Sequence, residues 1–342
     1  MTGLARAERL LRVLQRRSVD RAPVICAGGM MNAAVVDVMQ ETGHTLPAAH
    51  FDAAGMATLA EDVSRATGFE NLGVPFCMTV EPELLGSAID PGTLQCEPKV
   101  SREAFASVEE VEYRDVGALA RSGRIEVVAG ATALLSRRNP DVPVVVSLTG
   151  PVSTAASIVA PMTFLKELRK RREASHRVLD YVTRLLVAYA ARVIEAGVDA
   201  IAIGDPTATG EILGPALFDD FAVRYLNALT DAVHRQGVPV IVHICGDMSR
   251  SRELLPRLHA DAISADAAVS LPRLKGDFGL TTMGNVSTYL LELGDAARVA
   301  RATARLVEEG VDIIAPACGL STSTALGNIR ALTGAAKAAG RS

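Results

Sequence analysis

The segment Val238-Pro-Val-Ile-Val-His-Ile-Cys-Gly-Asp247 holds the chemistry-bearing residues of this chain. In an extended strand, side chains at i and i+2 point the same way. His243 and Cys245 therefore offer a nitrogen and a sulfur to one point, and Gly246 ends the strand beside them. A second segment, Val311-Asp-Ile-Ile-Ala-Pro-Ala-Cys-Gly-Leu320, places Cys318 just past another strand, again before a glycine. One imidazole and two thiolates make a tetrahedral zinc site with one position open, the pattern of a catalytic centre. The competing reading is that Cys245 and Cys318 are small buried hydrophobes, as free cysteines often are. No C-x-x-C pair decides between the two.

For the three residues to meet, their strands must be parallel neighbours of one sheet. Val144–Leu148, Ala200–Ile203, Val238–Ile244, Ala262–Ser264, Leu280–Met283 and Asp312–Ala315 are short apolar runs, several β-branched and without polar alternation, as in strands buried on both faces. Pro23–Ala27 and Leu72–Phe76 bring the count of candidates to eight. Helical segments lie between them: 4–17, 164–172, 174–195, 211–236 with a break at Gly214–Pro215, and 298–309. Glu195-Ala-Gly197 and Glu309-Gly310 each end a helix on glycine and start a strand. This alternation predicts one α/β domain over 1–342, a (β/α)₈ TIM barrel with an N-terminal helix and an insertion around 80–140 that contains turns, helical pieces and a β-hairpin. Active sites of such barrels sit at the C-terminal ends of the strands, where both glycine-flanked cysteines fall.

Composition excludes several classes. The chain has 342 residues, 35 basic and 39 acidic, for a net charge of −4, with no basic tail to track phosphates. Tryptophan is absent and aromatics are 4%, so stacking platforms for nucleic acid are not expected. No run approaches the roughly 18 apolar residues of a membrane span, and the first residues lack a signal-peptide core. Five widely spaced cysteines do not form a secreted disulfide framework, which points to a cytoplasmic protein.

The sequence resembles the uroporphyrinogen decarboxylase superfamily, and within it the methylcobamide:coenzyme M methyltransferase branch. The likeness rests on the opening helix with Val19-Asp-Arg-Ala-Pro23, on Ile25-Cys-Ala-Gly-Gly-Met-Met-Asn32, on Gly73-Val-Pro-Phe-Cys-Met-Thr-Val-Glu81, on Gly204-Asp-Pro-Thr-Ala-Thr209, and on an H-x-C…C pattern at His243, Cys245 and Cys318. It implies Zn²⁺ on those three residues, with Asp266 in Ile263-Ser-Ala-Asp266 as a fourth, displaceable ligand or, equally, a helix cap. It also implies transfer of a methyl group from a methylcobamide, held on a corrinoid protein, to a thiol such as coenzyme M. Tetrahydrofolate as acceptor or donor is the nearest alternative, and a homodimer is allowed. A decarboxylase fits poorly, because the place where that branch carries substrate-holding arginines reads Cys26-Ala-Gly-Gly-Met-Met-Asn32. A non-catalytic zinc- or corrinoid-binding component is a third reading.

Other strand-end residues are expected to line the pocket: Asp205, which would also orient a ligand histidine unless it only forms an Asp-Pro turn; Glu81; and Asn285 and Ser287 as hydrogen-bond donors to substrate. Asp247 reads as a cap or a support for the ligands. Cys26 and Cys77 read as packing residues. His44, His50, His176, His234 and His259 lack ligand spacing and are expected in surface or local hydrogen-bonding roles.

Overall fold

A computed structural model describes residues 3–27 and 32–339. Gly28, Gly29, Met30 and Met31, the centre of the first-strand loop singled out above, lie outside the described residues. The strands are β1 (Leu72–Val74), β2 (Ala88–Asp90), β3 (Lys99–Arg102), β4 (Val144–Thr149), β5 (Ala200–Gly204), β6 (Val240–Ile244), β7 (Ala262–Ala265), β8 (Thr282–Val286) and β9 (Ile313–Pro316). Seven of them form one parallel sheet in the order β1-β4-β5-β6-β7-β8-β9. Helices fill the crossovers between them, as parallel strands require.

The eighth stave is the segment 23–27, and it closes the barrel with few bonds. On one side Ile25 N donates to Ile314 O (3.0 Å) and Ile314 N to Pro23 O (2.9 Å). On the other, Glu70 N donates to Val24 O (2.9 Å). The Asn71 side chain then acts as a strand edge, accepting from Cys26 N and donating to Cys26 O, both at 2.9 Å. Pro23 has no N–H and β1 is only three residues long, so a side-chain amide supplies what the ladder cannot.

Alternation along the staves sorts the core. Ile25, Ala27, Val145, Ala200, Ala202, Ile241, Ala262, Met283, Ile313 and Ala315 form one inner cluster together with Leu10, Val13 and Leu14 of the opening helix Arg6–Leu14. That helix plugs the N-terminal end of the barrel, and burying each of its leucines contributes about 1.5–3 kcal/mol. The outward faces pack on the surrounding helices in a second, larger cluster.

Between 80 and 140 the chain forms a helix (Val80–Leu84), the antiparallel pair β2–β3, a short helix (Val116–Leu119) and a long one, Gly123–Arg138. The last packs on the helix Ala53–Thr67, so the chain rejoins the barrel from residue 123. The segment 211–236 breaks where Gly214 and Pro215 sit. Helix Gly210–Leu217 contains Gly214 at φ 68°, ψ 168° and runs through a π-helical stretch (Phe218–Val223) into Arg224–His234. Among the described residues no helix is long and apolar enough to cross a membrane.

Candidate metal centre

Ile241 points into the inner cluster, so His243, two residues on, points the same way one layer nearer the mouth, and Cys245 follows at the strand's end. The His243 ring is 2% exposed. Its Nε2 lies 2.9 Å from Cys245 Sγ, and its Nδ1 lies 2.9 Å from the hydroxyl of Ser264, its register partner on β7. Cys318 sits two residues past β9. Ala317 N donates to Val286 O (2.8 Å), which holds this segment against β8. Cys318 Sγ is 3.2 Å from Cys245 Sγ, and the three donor atoms all lie within 4.8 Å of one another.

The two sulfurs lie within hydrogen-bonding distance of each other. Donation from Cys245 holds the Cys318 thiol down at about 4, with help from His243 and against burial. The same hydrogen bond and burial push Cys245 well above the usual thiol range, and the nearby charges of Cys318, Asp266 and Asp205 add to this. Zinc with two thiolates and one imidazole sets donor separations of about 3.5–3.8 Å from its usual bond lengths and tetrahedral angles. The two separations that involve Cys245, 2.9 Å and 3.2 Å, fall inside that span, so an outward motion of Cys245 would be needed to admit the ion, and the soft donor set suits Zn²⁺.

Gly246 fixes where Cys245 points. Its φ is +72°, and a Cβ there would lie 2.6 Å from Glu211 Oε1, the atom that accepts from Asp247 N at 3.0 Å. Gly246→Ala must either strain the backbone by roughly 1–2 kcal/mol or displace Glu211. The expected result is zinc affinity lowered at least about tenfold, since each 1.4 kcal/mol is a factor of ten. Competition with a chromophoric chelator measures it, and unchanged affinity would show that this turn does not position Cys245.

The remaining expected site residues take other partners. Asp266 Oδ1 accepts from Ala268 N (2.9 Å), and the residue lies outside the three-donor cluster, though its charge reaches Cys245. Asn285 was expected to donate to substrate. Its Nδ2 instead donates to Asp266 O (2.9 Å) and Val269 O (2.8 Å), clamping the turn that carries Asp266. Ser287 caps the helix Thr288–Leu293 by accepting from Leu290 N (3.4 Å).

Asp205 does not line a pocket or orient a histidine. It is fully buried and accepts from Val152 N, Ser153 N and Ser153 Oγ at 2.6–3.0 Å. Burial still raises its carboxyl to about 6 against those bonds. Glu81 is buried as well, pushed up to about 7 by desolvation, and accepts from Thr149 N (2.8 Å) and Thr149 Oγ1 (3.1 Å). Both carboxylates satisfy backbone donors at the C-terminal end of β4 and the start of the helix Pro151–Ala156 that follows it. Asp247 is exposed and accepts from Ser249 N (2.7 Å) and Ser249 Oγ (2.9 Å).

Cys26 is buried, and burial followed by the charge of Cys318 pushes its thiol up to about 12. Cys77 accepts from Arg124 Nη1 (3.1 Å), and this buried guanidinium also bonds Thr79 O, Thr79 Oγ1 and Glu83. Arg124, Glu211 and Ser264 were not singled out from sequence. Only Ser264 carried a signal, because its inward phase with Asp266 on β7 is legible there.

A cleft of about 670 Å³ lies at the opposite end of the barrel beside Val13, Arg17 and Lys275. A cleft of about 620 Å³ opens between the segment after Cys318 and the β2–β3 loop, lined by Asp37, Gln95, Glu97, Lys99, Ser321 and Ser323.

His44, His176, His234 and His259 make local bonds to Asp62, Tyr225, Asp261 and Asp231. His50 differs: it is 1% exposed, and among the described residues neither ring nitrogen has a partner. Burial, then the Arg124 charge, lowers its pKa from 6.5 to about 4. A folded-state pKa below the unfolded value means that protons favour unfolding. The contribution is intact above 6.5 and is lost as pH falls towards 4. His50→Leu removes that loss. Urea titrations are expected to show the variant gaining about 3 kcal/mol relative to wild type between about pH 7 and about pH 4. A pH-independent difference would place the proton elsewhere.

Parallel staves with His243, Cys245 and Cys318 gathered at their C-terminal ends stand on a fold whose class is shown by sequence: the chain belongs to the uroporphyrinogen decarboxylase (URO-D) family, whose model matches residues 5–339. It is 32% identical over 340 residues, 98% of this chain and 99% of the relative, to the methylcobamide:CoM methyltransferase MtbA of Methanosarcina acetivorans. It is 30% identical over 334 residues, 96% of each chain, to the methylcobamide:CoM methyltransferase MtaA of Methanosarcina barkeri. A solved methyltransferase from Methanosarcina mazei superposes with a TM-score of 0.91 at 29% identity, covering 98% of this chain and 99% of that one.

Proposed function

We propose that this protein is a zinc-dependent methyltransferase that moves a methyl group from a methylcobamide, carried on a separate corrinoid protein, to a thiol, coenzyme M first among them. The convergence of His243 Nε2, Cys245 Sγ and Cys318 Sγ at the barrel mouth carries this reading. The full-length likeness to two methylcobamide:CoM methyltransferases supports it. Zinc, when bound, supplies Lewis acidity that deprotonates an incoming thiol near neutral pH.

The chain's own residues do the rest. His243, Cys245 and Cys318 would hold the ion, and Asp266, outside that cluster and accepting from Ala268 N, would act on it through its charge, which reaches Cys245. The two anionic cysteines lessen the net charge of the centre, which preserves the nucleophilicity of a sulfur held there. That sulfur attacks the methyl carbon, the carbon–cobalt bond breaks, and its electron pair stays on the corrinoid as Co(I). A decarboxylase is disfavoured because Cys26–Asn32 contains no cation and soft thiolates have no part in losing CO₂. The five free cysteines suit a reducing compartment, and we place the reaction in the cytoplasm.

Elemental analysis of the purified protein, followed by methylcobalamin with coenzyme M or tetrahydrofolate, tests the proposal. The cobalamin spectrum is expected to show demethylation with coenzyme M. Bound zinc without turnover on either acceptor would favour a binding component and overturn the catalytic reading.

A further inference from the structure

We propose that Ser264 is a positioning residue that decides which ring nitrogen of His243 is free to bind metal. This deepens the zinc reading above and rests on it. The two side chains face each other across the β6–β7 ladder, His243 2% and Ser264 1% exposed, with Nδ1 and Oγ 2.9 Å apart. Among the described residues no other group bonds Nδ1. The nearby buried carboxylate of Asp205 is committed to Val152 N and Ser153.

A histidine that binds metal through one nitrogen must carry its proton on the other. Here Nε2 faces the sulfurs, so a metal there requires the proton on Nδ1 and an acceptor for it. Ser264 Oγ is that acceptor. A hydroxyl also donates, which a carboxylate cannot. Without metal, Ser264 O–H donates to Nδ1 while Nε2–H points at Cys245 Sγ. With metal, the hydroxyl turns to accept and the ring stays in place. Ser264 thus satisfies the buried imidazole in both tautomers, and a one-proton shift converts the resting site into a ligating one.

Ser264→Ala removes the partner of Nδ1 in both tautomers, and the ligating one, whose Nε2 is committed to the metal, is left with a buried Nδ1–H that has no acceptor. Zinc affinity, measured by chelator competition, is expected to fall about 10- to 100-fold. Ser264→Thr keeps the hydroxyl and is expected to stay within a fewfold of wild type. Thermal melting of the metal-free proteins separates this from general damage, because a merely structural serine would lower the melting temperature of Ser264→Ala without a selective loss of zinc. In ¹⁵N-histidine-labelled, zinc-loaded wild type, the ring proton is expected on Nδ1. Wild-type affinity in Ser264→Ala, equal loss in Ser264→Thr, or a proton on Nε2 would each overturn the assignment. Wild type that binds zinc in this manner yet transfers no methyl group would leave Ser264 standing and overturn the proposed function instead. Wild type that takes up no zinc would overturn both.

Discussion

Replacing Cys318 with serine, or Cys245 with serine, is expected to abolish zinc retention and methyl transfer together. The two sulfurs come from strands 73 positions apart and meet at 3.2 Å, so each is half of the anionic donor set. A serine hydroxyl does not ionise near neutral pH and is a hard, neutral ligand where zinc prefers thiolate. Losing one thiolate also removes the hydrogen-bonding partner of the other. Metal stoichiometry is expected to fall below about a tenth of an equivalent. Without metal the substrate thiol is mostly protonated and unpositioned, and several kcal/mol of activation is lost, at least about a thousandfold in rate. Elemental analysis and the cobalamin spectrum read the two effects separately. A variant that keeps both zinc and full turnover would remove that cysteine from the ligand set.

The second large effect concerns closure of the barrel. Glu70→Ala is expected to cost about 3–5 kcal/mol in urea unfolding. Glu70 stands at the seam between 23–27 and β1. Its side chain accepts from Val24 N (3.1 Å), Arg9 Nη1 (3.1 Å) and both terminal nitrogens of Arg21, while its own N–H donates to Val24 O. Removing it leaves the nearly buried Arg9 with Asp20 as its one carboxylate partner among the described residues and leaves Val24 N without an acceptor. Burial pushes the Glu70 carboxyl up, yet Arg21, Val24 N and Arg9 together hold it below its ordinary value. Its contribution is therefore present above the unfolded-state value and fades as pH falls through the folded one. The deficit of Glu70→Ala against wild type should shrink in acid. A constant deficit, or one under about 1 kcal/mol, would show that the seam is held elsewhere.

The sequence by itself determined the staves and named His243, Cys245 and Cys318 as candidate donors. Short apolar runs separated by helical periodicity predicted all eight staves, and the phase of His243 and Cys245 on one strand required them to face the same point. That Cys318 should join them followed from its place after a parallel strand, because every parallel strand of a barrel delivers its C-terminal end to one mouth. Gly214–Pro215 marked the helix break for an equally local reason, since neither residue sustains a helix interior.

Only the tertiary structure decided the partners. Asp205, Glu81 and Asn285 read as pocket residues because they follow strands. Yet the choice between substrate and backbone depends on which orphan N–H and C=O groups neighbouring loops bring near, and those groups belong to residues up to 68 positions away. The same holds for Ser264, which meets His243 because β7 pairs with β6 in one particular register. Strand phase is set by the period of a single chain segment. Hydrogen-bond satisfaction is set by the whole fold, because a buried polar group takes whatever complementary group packing leaves beside it.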